Sequence, residues 1–86
     1  MENIGNFALG VQERITDILD CMKVSHDLAI IGGFIGEKEA VSISGTVKGY
    51  PLVEKVFTRR ARQSAEAFQQ EVFAWCFDIL DMAANL

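Results

Sequence analysis

The sequence is poor in the residues that carry most catalytic and metal chemistry, with one histidine and two cysteines in 86 residues. His26 stands between Ser25 and Asp27. Three neighbours in sequence do not make a nucleophile–base–acid triad, whose members must converge from separate places, so a turn or cap role is expected for His26. Cys21, His26 and Cys76 lack the paired-cysteine spacing of a zinc site, and no metal ligand set is assigned. Gly32-Gly33-Phe34-Ile35-Gly36 is glycine-rich but lacks the Gly-Lys-Ser/Thr ending of a phosphate loop and the three-glycine dinucleotide spacing. Close backbone packing is the expected use of these glycines. The carboxylates are scattered over polar faces, and no two form an acid–base couple. A non-enzyme without a cofactor is therefore expected.

Long hydrophobic runs are missing too. The longest, Leu28 to Gly36, falls far short of the ~18–20 residues a membrane span needs. Met1-Glu2-Asn3 brings no positive flank, residue 2 is not the glycine of a myristoylation signal, and Ala84-Asn85-Leu86 carries no prenylation cysteine. The two cysteines sit among apolar neighbours and read as buried, reduced thiols. These features together give the expectation of a cytoplasmic protein with no membrane partner.

What the chain does have is apolar surface: half of its residues are hydrophobic, against a net charge of −4. The length fits a single domain, residues 1–86, and a domain this small buries only ~60–65% of its unfolded surface. Some of that apolar area must then stay exposed or be covered by a partner.

Ile4, Phe7, Ala8, Val11, Ile15, Ile18, Leu19 and Met22 recur at spacings of three and four, which predicts an amphipathic helix capped by Asn3 or Asn6 and ending near Ser25-His26-Asp27. Leu28–Ile35 is apolar and rich in β-branched residues, and Val41, Ile43, Gly45 and Val47 alternate with Ser42, Ser44, Thr46 and Lys48. With Glu37-Lys38-Glu39 as connector, they predict an antiparallel hairpin with one face on a core. After Gly49-Tyr50-Pro51, a stripe from Val53 through Phe57, Ala61, Ala65, Phe68, Val72, Cys76 and Ile79 to Ala83 favours a long C-terminal helix. Run from Leu52 to Ala84, it would measure about 50 Å and overhang so small a body. It must then break around Thr58–Ser64, pack its end on another chain, or give up Val53–Thr58 to a further strand. The fold class expected is α+β: a small two-layer domain in the order α-β-β-α, with the hairpin on the C-terminal helix.

Two surfaces are singled out. From Val72 onward the last helix is apolar nearly all round, so Val72, Phe73, Trp75, Cys76, Phe77 and Leu80 are expected to form an oligomer interface, a homodimer by default. Five of the eight cations fall in residues 48–62, namely Lys48, Lys55, Arg59, Arg60 and Arg62. With Tyr50 they form a candidate contact for a partner protein or an anion. The plainer alternative is a solvated helix face on which Arg59 and Arg62 pair with Glu66. Net acidity and the lack of any nucleic-acid motif argue against duplex DNA. The leading functional expectation is a non-catalytic interaction module, adaptor or inhibitor in type, that self-associates and uses Arg59–Arg62 and the exposed side of the hairpin as contacts. The alternatives are a binder of an anionic compound such as a nucleotide near a subunit boundary and, more weakly, RNA binding.

Overall fold

A computed structural model describes residues 3–48 and 50–85, the side chains of residues 50–53 excepted. The elements run α1 (Ile4–Cys21), β1 (His26–Ile35), β2 (Lys38–Val47), β3 (Tyr50–Thr58) and α2 (Ala65–Ala84). The three strands form an antiparallel meander in the order β1-β2-β3. The α+β class holds, with two terminal helices and a small antiparallel sheet.

Helix α1 starts where its sequence places it, because the Asn3 carboxamide oxygen accepts from the Gly5 N–H at 2.7 Å. It stops at Cys21, earlier than the expected turn at Ser25. Lys23 takes a positive φ of 59°, and the Lys23 and Val24 N–H groups donate back to the Asp20 and Leu19 carbonyls. That pairing is a Schellman termination with lysine at the position glycine usually holds. The imidazole of His26 lies 2.7 Å from Asp20 Oδ1, which ties the start of β1 to the last turn of α1.

The β1–β2 turn is tighter than the expected connector. Gly36 and Glu37 alone form the loop, Gly36 has a φ of +63°, and Lys38 and Glu39 belong to β2. A two-residue hairpin with glycine first matches the right-handed twist of its strands.

The largest departure lies at residues 50–58, where the favoured helix is instead β3. Val41 pairs with Phe57, and Ser42 with Val56. The spacing Val53–Phe57–Ala61 fits a helix, but Val53, Val56, Phe57 and Thr58 are residues that suit a pleated surface, and sheet pairing decides between the two. Arg59–Ser64 then forms the connecting loop, and the Ser64 hydroxyl caps α2 by accepting from the Ala67 N–H at 3.1 Å. The helix that remains, 20 residues, is about 30 Å long, within the 37 Å length of the molecule.

Both helices pack on one face of the sheet. Leu28, Ile30, Val41, Ile43, Val47 and Phe57 point to that face and are buried with Ile4, Phe7, Val11, Ile15 and Leu19 of α1 and Phe68, Val72, Cys76 and Ile79 of α2. Edge-to-face ring pairs, Phe7 with Phe73 at 5.6 Å and Phe57 with Trp75 at 6.0 Å, join α1 to α2 and α2 to β3. Gly32 faces the first turn of α1, where a Cβ would collide with the Ile4 carbonyl, so glycine is required for the helix to lie this close. Gly45 has a φ of +134° and presses against the Asp27 carbonyl, beside the irregular register between Gly45 and Val47.

Candidate functional site

Among the described residues, none forms a layer over the opposite face of the sheet. Strand alternation sends Asp27, Ala29, Ile31, Gly33 and Ile35 of β1 to this side, and the register adds Lys38, Ala40, Ser42, Ser44 and Thr46 of β2 and Glu54, Val56 and Thr58 of β3. Ile31, Ile35 and Val56 keep 64%, 56% and 50% of their surface exposed. Gly33 and Ser42 leave a shallow hollow between them. Of the charges on this face, Lys38 stands next to the hairpin turn and Asp27 at the other end, while Glu54, opposite Ser44 on the edge strand, lies one row from Ser42 and Val56 on the Asp27 side. The run Leu28–Ile35 carries the sequence signal for this surface. A strand apolar on both sides is the pattern of one covered on both sides, and here one side is covered.

The edges of the sheet are less open than its face. On β1, the Gln12 side-chain oxygen accepts from the Ile30 N–H at 2.9 Å and occupies an edge donor. On β3, Pro51 lacks an N–H and Glu54 and Lys55 are exposed. These devices discourage strand addition.

The residues expected to bind a partner or anion do not converge. Lys48 lies just after β2, at the end of the sheet away from the hairpin turn, and its N–H donates to the Ser25 carbonyl. The side chain of Tyr50 lies outside the described residues. Lys55 faces the helix side and sets its ammonium 5.5 Å from the Phe57 ring centroid. Arg59, Arg60 and Arg62 lie in the β3–α2 loop, a strand length of about 30 Å from Tyr50. Arg59 donates to Glu39 Oε1 at 2.7 Å and to the Gln63 carbonyl at 2.9 Å. Arg60 reaches Glu71 Oε1 at 3.3 Å, and Gln63 spans the loop to the same carboxylate. For Arg59 the expected partner Glu66 is thus replaced by Glu39, because these arginines sit on a loop folded against β2 and α2 and not on a helix of their own. Arg62 is exposed and makes no ion pair among the described residues. The shallow surface here mixes Lys38, Arg59 and Arg60 with Glu37 and Glu39.

The α2 residues assigned to an oligomer interface divide. Val72 and Cys76 lie in the core of the chain itself, Phe73, Trp75 and Leu80 pack partly against it, and Phe77 is 58% exposed. Much of the second apolar stripe is taken up by α1 and by Phe57 of β3, a strand the favoured sequence reading did not include. The cysteines divide as well. Both are free thiols, but Cys21 is exposed and only Cys76 is buried. Burial pushes the Cys76 thiol from 9.0 up to about 11.

No family model, curated protein or solved structure matches the chain. Among the described residues there is no group of three or more His, Cys, Asp or Glu side chains placed to hold a metal ion. No helix among them is long and apolar enough to cross a membrane.

Proposed function

We propose that the chain is a non-catalytic protein-interaction module whose docking surface is the uncovered face of the sheet. The observation that carries this reading is the cluster of Ile31, Ile35 and Val56, each at least half exposed around one shallow hollow, on a face whose central row Ile31–Ser42–Val56 carries no charge. Single exposed apolar residues are ordinary on a protein surface, whereas a contiguous apolar patch with a polar rim is what interaction sites present. The capped and charged edges support a partner that lies across the face over one that extends the sheet. The expected self-association surface accordingly moves from α2 to the sheet. An anion held by the arginine cluster draws less support, since Arg59 and Arg60 already donate to carboxylates.

A photoreactive amino acid placed at Ser42, in the middle of the open face, tests this reading against the same group at Gln70, exposed on α2. Adducts to a protein partner from Ser42 and none from Gln70 are expected in the expression host. Equal yields from both positions, or none from either, contradict it.

A further inference from the structure

We infer that the occupant of the open face is a second copy of this chain, packed sheet to sheet about a two-fold axis that runs across the strands. This rests on the docking-face reading above and adds the partner and its orientation.

Three observations select it. The first is charge. Lys38 sits at one end of the face, with Asp27 and Glu54 toward the other. A two-fold along the strands would stack acidic end on acidic end. A two-fold across them reverses the second copy and brings its Lys38 over the Asp27 end, on the side of the axis where Glu54 also lies. The face is therefore complementary to itself in one orientation and repulsive in the other.

The second is the position of the axis. Asp27 and Ile35, the outer limits of the face on β1, are exchanged by a rotation centred on Ile31. The register places Ile31, Ser42 and Val56 in one row across the sheet. The axis falls on that row, so isoleucine meets isoleucine and valine meets valine. No charged side chain lies on the row, so nothing there opposes an identical partner.

The third is extent. Three strands about 4.8 Å apart and ten residues long offer a flat footprint of about 450–500 Å². Two copies bury close to 1,000 Å², about the lower limit for a specific interface. Sheets stacked about 10 Å apart leave room for Ile31 and Val56 of both copies to meet beside the hollow at Gly33. An interface of this size predicts a weak dimer in concentration-dependent exchange with monomer.

Sedimentation velocity from about 1 μM to about 500 μM tests the proposal, because mass action makes a weak dimer appear across such a range. The wild-type chain is expected to shift from monomer to dimer. Ile31→Lys sets two ammonium groups against each other on the axis and is expected to weaken the dimer at least ~10-fold. Ile31 is 64% exposed, so the fold should survive, and circular dichroism checks it. Val56→Lys, on another strand of the same row, serves if it does not. Lys38→Glu alone and Asp27→Lys with Glu54→Lys are each expected to weaken association, and the three changes together to restore it. That restoration is peculiar to a reversed second copy. A chain monomeric at every concentration overturns the second copy, and selective Ser42 adducts would then still uphold the docking face. A dimer unmoved by Ile31→Lys and Val56→Lys overturns the second copy on this face, and the Ser42 and Gln70 adducts then decide the docking reading separately.

Discussion

The two faces of the same sheet differ more than the three strands do from one another. Toward the helices, Leu28, Ile30, Val41, Ile43 and Phe57 are buried with less than a tenth of their surface exposed. On the other side, Ile31 and Val56, next in sequence to Ile30 and Phe57, keep half their surface or more, as does Ile35 near the hairpin turn. Chemistry alone does not separate Ile30 from Ile31. What separates them is that α1 and α2 both return to one side. The contrast teaches that apolar content reports how much surface a chain has to cover, whereas topology decides which part is left for something else.

Substitutions on the two faces should differ in cost. Ile30→Ala removes a core side chain and should cost about 2–5 kcal/mol in urea unfolding, whereas Ile31→Ala should shift the monomer by no more than about 0.5 kcal/mol. Equal losses would show that both faces are packed within one chain. The glycine pair gives the next effect. Gly32→Ala drives a methyl into the Ile4 backbone and should cost about 1–3 kcal/mol, because α1 must move away. Gly33→Ala points its methyl into open space and should be neutral or slightly stabilising by thermal melt.

The buried thiol gives a smaller, pH-dependent effect. The unfolded chain ionises Cys76 from about pH 9, while the folded chain keeps the proton up to about 11. Unfolding is therefore favoured progressively across that window, and the effect is absent below it. Wild type should lose more stability between about pH 8 and about pH 10 than Cys76→Ala, measured by urea midpoint. A thiol reagent should meet one reactive cysteine in the native protein, Cys21, and two after unfolding. The smallest effect is a gain. Lys23→Gly relieves a left-handed lysine at the end of α1 and should raise stability by about 0.5–1 kcal/mol in a thermal melt.

Much of the architecture was legible because local signals agreed. The α1 stripe, the Asn3 cap and the β1–β2 hairpin each have a pattern that one period explains. Residues 50–58 did not, since Val53 and Phe57 fit a helical spacing while Val56, Phe57 and Thr58 suit a strand. Only pairing with Ser42 and Val41, distant in sequence, resolves it. The candidate site was legible in part. The exposed side of the hairpin was expected as a contact, and the unbroken apolar run of β1 pointed there. Its third strand, with Val56, was the unfavoured alternative for Val53–Thr58, so the extent of the face did not follow from the favoured reading. The basic island was visible as composition, but sequence distance hid that Lys48 and Arg59–Arg62 occupy opposite ends of the sheet. It also hid that Glu39, 20 residues before Arg59, supplies that arginine's partner. The apolar circumference of α2 was real, yet α1 and a three-stranded sheet absorb more of it than one helix and a hairpin would.

The proposed association uses the face the helices leave open. The most direct measurement is carbene footprinting of the wild-type chain at about 1 μM and about 500 μM, read out by peptide mass spectrometry. The account predicts that Ile31, Ile35 and Val56 become protected at the higher concentration while Phe77 on α2 stays equally labelled. Protection of Phe77 with no change on the sheet would contradict it and return the interface to the C-terminal helix.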